Sequence, residues 1–457
     1  MYNKKRHKAL DVGRNRSYNP VHLAVLAKDP SRLKRVLNEK YVNVNAKDYI
    51  GRTPLHLAVS NNLPNLVKVL IDHGARIEPK MTSGETPLYL AAFVSAKEIA
   101  DLLLTLGANP NSRNNEGVTP LHFAAALGRL EIAMLLLERG AHVSSRNRKK
   151  ITPLHLSSEN HADLTNLLLQ KGATVDACDI CGTTPLHIAA ENGAIDIAMQ
   201  LLDAGANINK PDIEGSTPIH RATRASKKDM VHFLILKGAD VNAKDIRGSS
   251  VLSYANYASD PTVAKILICH GVNINKSSYD EDSSLYDAAC AGRGDIVQLL
   301  IEHGANITAV NCRQETPLHG AAEGGNKDVV KLLVKNGADI EARNALGQTP
   351  LHIAAGSYHP KIVQLLIALG ARVNVLDNDG NTPFHNYVSL VYDPGDCKIV
   401  KSLLAAGADI EIRNRHGETP FEIAIENGLM TVVKLMRLNR SILHYTLLFV
   451  RRLFGYR

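Results

Sequence analysis

The sequence predicts an all-α solenoid, in which stacked pairs of short helices carry projecting β-hairpin-like turns. Three observations lead there. The tetrad Thr-Pro-Leu-His, or a close relative, begins at Thr53, Thr86, Thr119, Thr152, Thr184, Thr217, Thr316, Thr349, Thr382 and Thr419, with degenerate forms at Asn19, Ser250 and Ser283. A Gly keeps the same beat at 74, 107, 140, 172, 205, 238, 271, 304, 337, 370 and 407. Between tetrad and Gly lie two apolar runs separated by a polar break. The tetrads start 32 to 34 residues apart, with one last step of 37, and so define 13 repeats. A fixed period of this length marks a stacked array, because one such repeat cannot bury its apolar face alone.

The elements follow in chain order. Residues 1–17 hold Lys4, Lys5, Arg6, Lys8, Arg14 and Arg16 against Asp11, a net of +5, and read as a solvated basic arm. The array is expected over 18–440, with repeats starting near 18, 51, 84, 117, 150, 182, 215, 248, 281, 314, 347, 380 and 417. In the second repeat Thr53 suits a helix N-cap, and Pro54 suits the first helical position, where its missing N–H costs nothing. Leu55, Leu57 and Ala58 give one apolar side, and Asn61-Asn62 break the pattern. Leu66, Val67, Val69, Leu70 and Ile71 then make a second helix that Gly74 closes. The stretch ending Thr82-Ser83-Gly84 has no helical period and reads as a turn.

Some repeats depart from the pattern. Repeats 8 and 9 carry Ser250-Val251-Leu252-Ser253 and Ser283-Ser284-Leu285-Tyr286 in place of the tetrad, and Glu281 takes the turn Gly position. Four extra residues fall near 390–396 in repeat 12, and Arg440 stands where repeat 13 should close with Gly. Residues 441–457 are apolar nearly all round as far as Phe454, which suits a capping or docking helix.

Composition excludes several classes. With 45% hydrophobic and 21% charged residues the chain is not compositionally disordered. No apolar run approaches the ~20 residues of a membrane-spanning helix. The basic N-terminus has no apolar stretch behind it, so no secretory signal is expected. Six Cys in 457 residues fit a reducing compartment. The formal charge of +8 sits in the ends: +5 in 1–17 and +6 in 430–457 leave −3 for the residues between. A nucleic-acid-binding body would carry its own basic stripe, so no nucleic-acid partner is expected.

The stretches GVTPLHFAAALGRLEIAMLLLERGAHV (117–143) and GQTPLHIAAGSYHPKIVQLLIALGARVN (347–374) resemble the ankyrin repeat. The resemblance implies a protein-binding surface and no catalysis. It also makes Asn45 and Asn242 candidates for modification. The turn sequence Val-Asn-Ala-Lys-Asp at 44–48 and 241–245 resembles the turn whose Asn is modified by asparaginyl hydroxylases in this family.

The residues themselves offer no enzyme. Nine His (22, 56, 122, 155, 187, 220, 319, 352, 385) fill the fourth tetrad place, where an imidazole can bond the Thr hydroxyl or a neighbouring backbone and stay neutral. Cys178 and Cys181 form a lone CxxC with no second pair, and they read as turn residues rather than as a zinc or redox site. Asp377-Asn378-Asp379-Gly380 imitates the start of a calcium loop, but its twelfth residue is Val388. No Gly-rich phosphate loop or nucleophile elbow occurs. No metal or cofactor is expected.

The expected function is therefore a non-catalytic scaffold or adaptor, monomeric and cytoplasmic. Nuclear entry stays open through Lys4-Lys5-Arg6-His7-Lys8. Positions three and four before each tetrad Thr project from the turn, and those seven and eight after it lie at the exposed end of the first helix. They give Tyr49, Ile50, Phe93, Val94 and Leu127, beside a basic turn of Arg146, Arg148, Lys149 and Lys150, as the expected partner site. Two alternatives use the segment after Ser441. One is a ubiquitin-ligase adaptor, since the segment resembles in position the suppressor-of-cytokine-signalling box but lacks its Cys. The other is a membrane-associated or pathogen-type effector held by Arg451 and Arg452.

Overall fold

A computed structural model describes residues 18–275, 283–390 and 397–439. The basic arm, Glu281, the extra residues of repeat 12 at 391–396, Arg440 and the segment 441–457 lie outside the described residues. The described residues hold helices and no strand, with one isolated antiparallel bridge between Lys244 and Ser250. The helices come in pairs at the predicted period, from Pro20–Leu26 with Pro30–Leu37 to Pro383–Leu390 with Lys398–Ala405. In repeat 13, Pro420–Glu426 precedes helical residues 430–439. Contacts divide the chain into two compact bodies. One comprises Met1–Ile213 with Leu236–Gly238, the other Glu214–Ile235 with Ala239–Arg457.

Each first helix starts for a local reason. Thr119 is extended at φ −100°, ψ 165°, its hydroxyl accepts from the His122 N–H, and Pro120 opens the helix Pro120–Ala126. Such a cap contributes about 1 kcal/mol. The His122 ring answers by accepting from the Thr119 N–H at 3.2 Å, doing the work usually done by Glu or Gln. In repeat 13 the ordinary residue returns, Glu422 accepting from Thr419 at 2.9 Å. Second helices present a narrower apolar face. In Lys97–Thr105, Ile99, Ala100 and Leu103 are fully buried, and the helix packs against Pro87–Val94 of its own repeat. Each Leu or Ile so buried contributes roughly 1.5–3 kcal/mol.

The turns are pinned by a residue the sequence reading passed over. Asn114 Oδ1 accepts from the N–H groups of Glu116 and Val118, at 3.0 and 2.9 Å. Asp48, Asn147, Asp179, Asp245, Asn311, Asn344, Asp377 and Asn414 make the same pair of bonds in their own turns. Successive turns within a body are joined by one main-chain bond, as from Thr82 N–H to Ile50 C=O and from Arg148 N–H to Glu116 C=O. Gly51 needs its hydrogen twice over. Its φ is +80°, and a Cβ there would stand 2.7 Å from the Thr82 nitrogen. Lys150 and Gln314 occupy that same position at φ +58°.

Candidate functional site

The expected partner residues fall in three places. Tyr49 and Ile50 lie in the turn of repeat 2, Tyr49 being 62% exposed and Ile50 half-buried. Phe93, Val94 and Leu127 lie at the ends of first helices in repeats 3 and 4, all half-buried. Phe93 and Leu127 lean on a cluster of Tyr89, Val118 and Phe123, with the Phe93 and Phe123 rings 5.4 Å apart. Their apolar character therefore serves packing between repeats as well as any partner. Arg146, Arg148, Lys149 and Lys150 are all exposed in the turn of repeat 5, three turns beyond Tyr49.

Seven tetrad His residues, at 22, 56, 122, 155, 319, 352 and 385, are structural relays. In repeat 4, Nδ1 of His122 accepts from the Thr119 N–H, so the proton sits on Nε2, which donates to Ile151 C=O at 3.0 Å. His155, His319, His352 and His385 reach the main chain of the next repeat in the same way. Burial disfavours the imidazolium and holds His56, His122 and His352 down to about 4. His22, His155, His319 and His385 are lowered by the same cause. These groups stay neutral at physiological pH and offer no acid–base chemistry.

Asn45 and Asn242 are bonded in place. Asn45 Nδ2 donates to Gly74 C=O, while its Oδ1 accepts from the Arg76 N–H at 2.8 Å. Asn242 Oδ1 accepts from the Asn273 N–H at 2.8 Å. Asn111, Asn275 and Asn374 make the same staple, so the position ties one repeat to the next.

Four basic residues form a column across repeats 2–5. Six residues before the tetrad Thr stand Lys47, Lys80, Arg113 and Arg146, one per repeat at a spacing of 33, and all four are exposed. Lys47 Nζ donates to Lys80 C=O at 2.8 Å, and Lys80 Nζ donates to Arg113 C=O at 3.3 Å. Lys47, Arg76 and Lys80 line an open groove of about 380 Å³ with Asn45, Glu78 and Pro79. The turns at 43–52, 76–85, 109–118 and 142–151 hold nine Lys and Arg against four Asp and Glu. The expectation that basic character lies only in the chain's ends is thus corrected. The net sum over the middle hid the turns of repeats 2–5, because the described turns of the second body reverse the balance. The turns at 240–249, 306–315, 339–348, 372–381 and 409–418 hold ten acids against seven bases.

Among the described residues no group of three or more His, Cys, Asp or Glu is arranged to hold a metal ion. Asp377, read above as a false calcium start, spends its Oδ1 on the Asp379 and Asn381 N–H groups. Cys181 is exposed in its turn, and half-buried Cys178 contacts Asp176 C=O. No described helix is long and apolar enough to cross a membrane.

Comparison with known proteins agrees with this geometry. A family model described as ankyrin repeats, in blocks of three copies, matches residues 21–114, 96–179, 154–245, 252–344 and 318–414. A 33-residue stretch, 7% of this chain, is 61% identical to FPV219, an ankyrin repeat protein of Fowlpox virus (strain NVSL). The match spans 8% of that relative's length.

Proposed function

This chain belongs to the ankyrin repeat family, whose members typically serve as non-catalytic protein-interaction modules, and from that premise we propose that it is a scaffold or adaptor docking a protein partner on repeats 2–5. The observation that carries the reading is an exposed aromatic, Tyr49, at one end of a run of turns whose other end is the exposed basic set Arg146, Arg148, Lys149 and Lys150. Exposed aromatic anchors with a charged rim are the usual anatomy of a contact site.

The test is a pull-down from cell extract with the full chain. Tyr49→Ala and Phe93→Ala should each weaken capture by about 1–3 kcal/mol. Circular dichroism accompanies Phe93→Ala because that ring also packs on Phe123. Should Tyr49→Ala, Phe93→Ala and Lys149→Glu together leave every partner in place, the assignment is wrong. A chain cut at residue 440, run alongside, separates the alternatives. Loss of cullin-type subunits on truncation points to a ligase adaptor, and loss of salt-sensitive liposome flotation points to membrane docking.

A further inference from the structure

We infer that Lys47, Lys80, Arg113 and Arg146 form a register-setting ladder for an extended acidic peptide segment carrying one carboxylate at every third residue. The inference rests on the proposed docking surface of repeats 2–5 and specifies the chemistry of its occupant.

Three features support it. First, the fold does not require a cation in this column. The same place holds Cys178, Pro211, Val310 and Leu376 in other repeats, and separate bases at Lys244, Arg343 and Arg413, whereas repeats 2–5 fill it with a base four times running. Second, the charges are held in step. Each of the first two ammonium groups donates to the main-chain carbonyl of the next basic residue in the ladder, which orders the side chain and leaves its charge intact. Among the described residues no carboxylate lies within ion-pair distance of any of the four. Nearby acids are otherwise engaged: Asp48 in a buried 2.7 Å pair with Arg52, Glu78 on the Asn109 N–H, and Glu85 on the Asn114 side chain. Third, the spacing fits an extended peptide with three residues per turn. Packed helix layers lie roughly 8–10 Å apart, and an extended segment in the polyproline-II form rises about 3.1 Å per residue, so every third side chain returns to the same face after one step. A nucleic-acid strand carries a phosphate about every 3.4 Å along a duplex and would leave most of its charges unmatched.

The experiment measures fluorescence anisotropy of labelled peptides on the full chain at low salt. One peptide repeats Glu-Ser-Ser four times, and its isomer places the four Glu together. The spaced peptide is expected to bind about tenfold more tightly than the clustered one, and Lys80→Glu/Arg113→Glu to reverse that advantage. A third peptide, with Lys replacing the two inner Glu, should bind this variant about tenfold more tightly than the parent chain does. That rescue depends on register and cannot come from misfolding. Equal binding of spaced and clustered peptides overturns the inference, as does an oligothymidylate that binds as tightly as the spaced peptide and is lost in the same variant. Should partner capture depend on Tyr49 while the peptides show no register, the docking surface stands and the ladder falls. Should capture ignore Tyr49, Phe93 and Lys149 while the register effect holds, the ladder stands and the docking surface as drawn falls.

Discussion

Repeats 4 and 9 hold the start of a first helix against the next repeat with different atoms. In repeat 4 the fully buried His122 ring joins the Thr119 cap to Ile151 C=O. In repeat 9 Ser283 is the cap, and Tyr286 stands where His belongs, its hydroxyl donating to Glu315 Oε2 at 2.9 Å. That same oxygen takes bonds from Asn311 and Arg313 at 3.1 Å. Repeat 8 also relies on side chains, with Ser253 Oγ donating to Asp287 Oδ2 at 2.7 Å. Its first helix is only Val251–Tyr254, continued as a 3-10 turn over Ala255–Tyr257. A relay ending on a main-chain carbonyl works whatever residue supplies that carbonyl, as at Glu85, Ile151, Thr183 and Gln348. The Tyr version needs particular neighbours: Glu315 to accept, and Gly320 to leave room, since a Cβ there would stand 3.1 Å from the Tyr286 ring.

The largest test of this contrast removes a relay. His122→Ala opens a cavity and strands the buried Thr119 N–H and the half-buried Ile151 C=O, so it should cost about 2–4 kcal/mol. Ser253→Ala should cost about 1 kcal/mol, the worth of one hydrogen bond. Urea unfolding followed by local hydrogen exchange compares them, and equal losses would undo the distinction.

Acid should narrow the difference next. At neutral pH residues 245–300 are expected to exchange faster than 117–215, because stability in such arrays is nearly a sum of local terms. The folded pKa of His122 is lowered to about 4, so between that value and the ordinary 6.5 the unfolded chain binds more protons. Stability is therefore full above about 6.5 and lost as pH falls toward about 4, on the order of 2 kcal/mol for such a relay by pH 5. Repeats 8 and 9 lack the tetrad His and should lose nothing by this route. An exchange gap that stays constant from pH 7 to pH 5, after correction for intrinsic rates, contradicts the relay account.

A smaller effect probes Gly320. Gly320→Ala should destabilise by about 1–2 kcal/mol through overpacking against Tyr286, and much less on a Tyr286→His background. Additive losses in that double-mutant cycle would mean that the ring and the glycine are not matched. Smallest of all, Gln314→Gly should stabilise the chain by about 1 kcal/mol, since its left-handed φ of +58° strains a side chain. No rise in the thermal midpoint would leave that position unstrained.

Much of this was legible in the sequence because helix starts and stops are local chemistry. Thr119, Pro120 and His122 lie within four residues of one another, and cap geometry follows from their types alone. The turn-pinning Asn114 was equally local, and it could have been found by reading the fifth place before each tetrad Thr. The basic ladder was readable one column earlier, in residues 33 apart. Summing charge along the chain erased it.

Other features are contacts between residues about 30 apart, and only stacking brings those together. The phase of the repeat marked Phe93 as a side chain for a partner. The tertiary structure half-buries it against Phe123 of the next repeat, because adjacent first helices pack closely enough for the rings to meet. Sequence alone determined that His122 would be tied to its cap, while the burial that keeps it neutral comes from stacking. Tertiary structure decided that its second nitrogen would end on Ile151 C=O, and that Tyr286 could replace such a ring only where Glu315 and Gly320 wait in the following repeat. The physical reason is one of range. Capping energies are settled within a single turn of helix, whereas packing and charge register are settled between neighbours that the chain reaches only after a full repeat.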